Sequence, residues 1–290
     1  MWAARARKRP DPEAPSTPME IPGYAERLRL GHRITEPAIR EAISSLGLPP
    51  GSRGLDAGCG IGRHSLWLAE AVGPAGHVVG LDISPEHLAV GRCLAQEAGN
   101  DGFIHLVAGD VGRLPFVPAS FDWIWSADTL WPGFVTRDPA ASVRELARLV
   151  RAGGRVAFTY CTGQSLLPGH PVLEARLNLA FAQSTPYLAG IRPVDQVLRA
   201  LGWLEAAGLG DLSARTCVAE IEGPLSLEQR DAVAFWCDML WGQLEGQVAA
   251  ETWSAFQGLC GAGAEAPLFA ERSYYGFVTY TCFAGRVPAD

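Results

Sequence analysis

The chain has 290 residues, 48% of them apolar, and a formal net charge of −7. That is enough apolar material for one well-cored domain with insertions. The acidic balance speaks against a nucleic-acid-binding surface, which carries clustered positive charge, and no apolar run approaches the roughly 18–20 residues needed to cross a bilayer.

Residues 1–22 are rich in Pro, Arg and small side chains and lack a hydrophobic period, so a disordered tail is expected there, with Met19 an alternative start. The basic run Arg5, Arg7, Lys8, Arg9 has no apolar segment behind it and reads as solvated rather than as a targeting peptide. Residues 23–290 are expected to form a single domain, ordered from about Tyr24. Thr35 is the expected cap of a first helix carrying Ile39, Ile43 and Leu46 on one face and ending at Gly47.

A strand at 53–57, a glycine turn, a helix at 63–72 and a strand at 77–82 follow. Ser84-Pro85 places a cap and a first-turn proline ahead of a helix reaching about Glu97. Further strands are predicted at 103–108, 121–126 and 155–159, with Asp138-Pro139 opening a helix to Val150. Short apolar strands alternating with helices predict a mostly parallel sheet covered on both faces. The second half is less regular. Helices are expected at 171–183, 194–207, 227–244 and 249–259, and strands at 215–221 and 274–283. Segments 162–192 and 226–270 are read as helical caps on the domain.

The sharpest motif is Leu55-Asp56-Ala57-Gly58-Cys59-Gly60-Ile61-Gly62 between the first strand and the following helix. Glycines there let the backbone turn tightly against a ligand. The spacing departs from the Gly-x-Gly-x-x-Gly of dinucleotide sites, because position 63 is Arg63. Asp82 ends the second strand, where a carboxylate can accept from a ribose diol. Asp110 ends the third, where one can accept from an adenine amine. The carboxyl ends of parallel strands share one edge of the sheet, the usual ligand crevice of open α/β folds. The sole lysine, Lys8, excludes a phosphate-loop lysine or a Schiff base within the domain. Seven scattered cysteines without a CxxC pair read as free thiols of a cytoplasmic protein, with no metal site expected.

Asp56-x-Gly58-x-Gly60-x-Gly62, Asp82, Gly109-Asp110 with Leu114-Pro115-Phe116, and Ser120-Phe121-Asp122 together resemble the ordered motifs of class I S-adenosylmethionine-dependent methyltransferases. The likeness is to the ubiquinone/menaquinone C-methyltransferase-like (type 11) branch and covers about Leu46 to Tyr160. It implies a Rossmann-like α/β fold whose seven-stranded sheet has its last strand antiparallel. It also implies S-adenosylmethionine as cofactor and S-adenosylhomocysteine as product. Asp82 would hold the ribose, Asp110 the adenine and the Gly58–Gly62 loop the methionine portion. Asp56, Cys59, Ile83, Val111, Ser126 and Arg29 complete the expected cofactor contacts.

Methyl transfer from a sulfonium is an in-line displacement that depends on alignment and exclusion of water, with a base needed only where the acceptor must lose a proton. Asp128, His64, Tyr160 and His170 are the candidates for that chemistry, with Trp131 and Trp236 as acceptor contacts. The expected acceptor is a moderately apolar small molecule, and O-, N-, C- and S-methylation all remain open. Phe235, Trp236, Met239, Leu240, Trp241 and Leu244 share helical spacing and read either as a core-facing helix or as a lid or homodimer face. Three rival readings stand beside this one. They are an NAD(P)-dependent oxidoreductase, a non-catalytic S-adenosylmethionine-binding subunit or regulator, and a related fold that uses the sulfonium for other chemistry.

Overall fold

Alternation of apolar strands and amphipathic helices builds three layers. In chain order the elements are α1 (Tyr24–Ser45), β1 (Arg53–Ala57), α2 (Arg63–Val72), β2 (His77–Asp82), α3 (Pro85–Glu97), β3 (Ile104–Ala108), β4 (Phe121–Ala127), α4 (Pro139–Arg148), β5 (Val150–Ser165), α5 (Pro171–Ser184), α6 (Ala200–Ala206), β6 (Gly210–Glu222), α7 (Leu227–Trp241), α8 (Ala250–Cys260) and β7 (Tyr275–Arg286). The computed structural model describes residues 23–100, 102–133, 135–185, 188–261, 264 and 267–289. The tail expected at 1–22, Met19 included, lies outside the described residues.

The sheet order is β3-β2-β1-β4-β5-β7-β6. The first five strands pair in parallel, and β7 runs antiparallel to both β5 and β6. A reversal of order between β1 and β4 leaves a crevice at their carboxyl ends, where the connecting chains diverge to opposite sides. One face of the sheet is packed by α1, α2, α5, α7 and α8 around Trp123 and Trp125. The other is packed by α4 and α6 around Phe121, Phe158, Tyr160 and Trp203. Each large side chain so buried contributes about 1.5–3 kcal/mol. Gly54 on β1 leaves room for the Trp123 ring, which a Cβ there would meet at 2.2 Å. The Trp123 indole N–H in turn donates to Ser52 Oγ at 2.8 Å.

Local signals set the helix starts. Ser84 Oγ accepts from the His87 amide, Asp138 accepts from the Ala141 amide, and Ser226 with Gln229 closes a reciprocal capping box on α7. α1 differs from the sequence reading. It begins at Tyr24, and Thr35 lies buried inside it rather than capping it. Gly31 lets α1 lie directly against Phe235 of α7, which a Cβ would meet at 2.6 Å, and this packing together with buried Ile34 carries the helix ahead of Thr35, while Ala38 and Ile39 carry it beyond. Pro37 is tolerated mid-helix because the carbonyl it leaves unbonded belongs to Arg33, an exposed residue.

Two other expectations change. The segment 194–207 is not one helix but two short 3-10 turns, Pro193–Asp195 and Val197–Arg199, before α6. β5 and β7 run longer than their apolar cores, β5 continuing through Gly153-Gly154 at one end and to Ser165 at the other. At the first end the Gly153 amide and the Gly154 carbonyl bond to Val287, so antiparallel pairing overrides the turn propensity of two glycines. No helix among the described residues is long and apolar enough to cross a membrane.

Candidate active site

The crevice is built from the ends of β1, β2 and β4. Gly58 opens the loop after β1 with φ +81°, a conformation L side chains rarely adopt, and a Cβ there would meet the Thr129 side chain at 2.2 Å. The Gly58 and Cys59 amides both donate to the Leu81 carbonyl, at 2.8 and 2.9 Å, which fastens the loop to the end of β2. Gly62 closes the loop and precedes α2 with φ +71°. Leu28 of α1 lies 3.9 Å from where a Cβ on Gly60 would stand, so the first turns of α1 border the loop.

Asp82 organises this end of the sheet. Its Oδ2 accepts from the Gly60 amide at 2.8 Å, its Oδ1 accepts from the Ser84 amide at 2.9 Å, and the His87 ring stands 3.4 Å from Oδ1. Burial pushes this carboxyl up, but His87 and the two amides outweigh it and hold it below the usual carboxylate range. A carboxylate has about four lone-pair sites, so acceptor capacity is left for a diol. Ile83 beside it is 54% exposed, an apolar side chain without cover at the mouth of the crevice. Asp110 is exposed after β3, its Oδ1 accepting the Gly112 amide at 2.7 Å, with Val111 half-buried behind it.

Several expected contacts turn inward instead. Asp56 is only 1% exposed and accepts from Ser65 Oγ at 2.6 Å, so it braces β1 against α2 from beneath the loop. Burial, with the nearby charge of Asp82 added, pushes its carboxyl up to about 7 despite the Ser65 bond. Ser126 spends its hydroxyl on the Ala57 carbonyl at 2.8 Å inside the sheet. Cys59 is buried, and burial together with Asp56 and Asp82 raises its thiol and keeps it neutral. Arg29 is exposed on α1.

Asp128 follows β4 in a left-handed conformation, φ 45°, uncommon for any residue but glycine and held only where surroundings fix it. Its amide donates to the Thr159 carbonyl at 2.9 Å, and its Oδ1 accepts from the Cys161 amide at 3.0 Å. Burial raises this carboxyl to about 6, and the Cys161 amide and Tyr280 hydroxyl hold it from going further. Thr129 carries the chain back to the glycine loop, its Oγ1 donating to the Ala127 carbonyl at 2.8 Å and reaching the Gly58 carbonyl at 3.2 Å. Trp131 is half-buried next to this turn. Its indole donates to the Asp128 carbonyl at 2.9 Å and its ring meets Tyr160 at 5.1 Å.

The remaining candidates do not join Asp128. Tyr160 is buried on the α4–α6 face and donates to the Leu130 carbonyl at 3.2 Å, and burial with the Asp128 charge keeps its phenol neutral. His170 is exposed ahead of α5. Trp236 is 4% exposed and packs between α7 and α1, its indole near the Gly31 carbonyl at 3.4 Å, so α7 is a core-facing helix there and not an acceptor wall. His64 stands 5.1 Å from His32 and 5.3 Å from Trp67, ring centre to ring centre. Burial, aided by His32, drives its imidazole well below the ordinary range, and burial with the Arg63 charge takes His32 down to about 4. Both rings are neutral at physiological pH and weak as bases. Thr129, which links this turn to the glycine loop, escaped the sequence reading although it follows a named residue and was legible in principle.

Residues 55–154 match the family described as a methyltransferase domain. Methyltransferase GfsG of Streptomyces halstedii is 32% identical over 160 residues, which is 54% of this chain and 54% of that protein. The demethylmenaquinone methyltransferase of Listeria welshimeri is 35% identical over 133 residues, 45% of this chain and 53% of that one. The chain thus spans about half the length of the curated relatives it matches. A structure of geranyl diphosphate C-methyltransferase from Streptomyces coelicolor A3(2), in complex with Mg2+, geranyl diphosphate and S-adenosyl-L-homocysteine, superposes with a TM-score of 0.51 at 16% identity, covering 92% of this chain and 85% of that one. That likeness is one of fold. Sheet order and sequence match point the same way: residues 55–154 match a methyltransferase domain, and the chain folds as a Rossmann-like, mostly parallel seven-stranded sheet.

Proposed function

We propose that the protein transfers a methyl group from S-adenosylmethionine to a small-molecule acceptor whose nucleophilic atom carries a proton, with Asp128 as the base. The observation that carries this reading is the placement of Asp128. Its carboxyl is held at about 6 in a left-handed turn, and the next residue, Thr129, bonds the cofactor loop. A base is most effective with a value near the working pH, and no other candidate side chain combines that value with this position.

The residues of the loop suit the cofactor. Gly58 and Gly60 present backbone without side chains, Asp82 retains acceptor capacity, and exposed Ile83 offers an apolar face beside it. Asp82 would hold the ribose, Asp110 the adenine amine and the Gly58–Gly62 loop the methionine portion. Arg29, on the helix that borders the loop, would meet the carboxylate. When bound, the cofactor supplies an electrophilic methyl on a sulfonium. Asp128 would take the acceptor's proton as the methyl group is accepted, so that the proton ends on its carboxyl. Trp131 flanks the acceptor and excludes water from it. Free thiols at all seven cysteines fit a reducing, cytoplasmic setting.

The test is S-adenosylhomocysteine formation across a panel of phenols, alcohols and amines, with and without Asp128→Asn. The variant should bind S-adenosylhomocysteine as the wild type does and turn over about 100-fold or more slowly. In the wild type, activity should fall as pH drops through about 6, where the base takes up its proton. Full activity in the variant on an acceptor that the wild type methylates would remove Asp128 from the mechanism.

A further inference from the structure

Three buried polar atoms collect on the α1–α2 face of the sheet, and none has a hydrogen-bond partner among the described residues: His32 Nδ1, His64 Nε2 and the Trp125 indole nitrogen. They come from three elements. His64 stands in the first turn of α2, just past Gly62. His32 lies on α1 one turn on from Leu28, the residue that borders Gly60, so the two share the face turned to the cofactor loop. Trp125 is fully buried on β4, the strand that leads into Asp128. The His64 ring centre is 5.1 Å from that of His32 and 6.1 Å from that of Trp125. A buried polar atom left without a bond destabilises a fold, and native proteins keep few of them without a functional reason. Three around one ring, beside the loop, mark a place built to receive a polar atom.

The donor inventory decides what that atom can be. An indole nitrogen only donates, and a neutral imidazole offers one donor and one acceptor. Burial keeps both imidazoles neutral. The occupant must accept from Trp125, which suits a neutral oxygen and rejects an ammonium group, a donor only. The surroundings are aromatic: Trp67 stacks on His64 at 5.3 Å and meets the His32 ring edge-on at 6.2 Å, ring centre to ring centre. We propose that His32, His64 and Trp125 form an acceptor-recognition subsite beside the cofactor loop, which selects an apolar acceptor by a neutral carbonyl or hydroxyl oxygen. This rests on the reading of the protein as a small-molecule methyltransferase. His64 then serves binding rather than proton transfer, in keeping with its lowered basicity.

The experiment follows the Trp125 indole N–H by NMR in the full chain, isotope-labelled at tryptophan, with and without S-adenosylhomocysteine; the signal is identified by its absence from Trp125→Phe. Three probes of one shape are titrated in. Acetophenone carries a carbonyl, α-methylstyrene a methylene in its place, and α-phenylethylamine an ammonium. Acetophenone should move the indole proton downfield and bind about tenfold or more tightly than α-methylstyrene, because a site built around polar atoms rejects an analogue that lacks the matching oxygen. α-Phenylethylamine should bind no better than α-methylstyrene. His64→Phe and His32→Phe each keep a ring and replace an unpartnered buried nitrogen by carbon, so the fold should hold and the preference for acetophenone should shrink in both. Equal affinity of the wild type for acetophenone and α-methylstyrene overturns the proposal. So does a preference that both variants retain, or an indole signal that no probe moves, the mark of trapped water only. Failure of the methyltransferase reading shows instead as a wild type that does not bind S-adenosylhomocysteine. The probe comparison is also made without that ligand, so the two failures are told apart.

Discussion

Asp56 and Asp128 are carboxyls that the fold withdraws from water, and each holds a proton longer than an exposed aspartate does. For Asp56 the folded protein retains the proton up to about 7, whereas the unfolded chain releases it near pH 4. Between those values the folded state binds more protons, so its stability falls as pH rises and levels off above the folded value. Asp56→Asn keeps an acceptor for Ser65 and removes the ionisation. The variant should therefore gain on the wild type by about 2–3 kcal/mol between about pH 5 and pH 8, read by urea denaturation. A difference independent of pH would show that Asp56 ionises as freely in the folded protein as in the unfolded one. Asp82 has the opposite sign. Its depressed value means that its contribution is present above the ordinary carboxylate range and is lost as pH falls through the folded value.

At the scale of elements, the cofactor loop is held by contacts on both sides of Gly58. Gly58→Ala must adopt a left-handed backbone and push Thr129 away, which should cost about 1–3 kcal/mol of stability. Because Thr129 is also the link to Asp128, the variant should lose affinity for S-adenosylhomocysteine as well. Retention of both would mean that the loop and the β4 turn are not coupled. What was legible in the sequence divides along the same line. Elements with a local period and a local cap, such as β1, α2, β2 and α3, lie where the pattern puts them because propensity and packing agree. The start of α1 lies ahead of Thr35, the cap its sequence suggests, because Gly31 leaves space that Phe235, more than two hundred positions away, occupies. β5 and β7 were read short because their ends are polar or glycine-containing and are held by each other. Trp236, set at helical spacing among aromatic residues, could not be assigned to core or pocket from its spacing. Packing against α1 decides it.

The molecule as a whole joins a shared half to an individual one. Through β5 it follows the methyltransferase domain that residues 55–154 match. Beyond it, α5, α7 and α8 pack on the α1–α2 face of the sheet. The role proposed for Asp128 presupposes that the crevice between β1 and β4 binds an adenosyl amino acid. Isothermal titration of the full chain with S-adenosylhomocysteine, beside NADH, tests that directly. The account predicts one site of roughly micromolar affinity or better, about −8 kcal/mol, weakened at least tenfold by Asp82→Ala, with no heat from NADH. Binding of NADH in place of S-adenosylhomocysteine, or S-adenosylhomocysteine binding indifferent to Asp82, would contradict it.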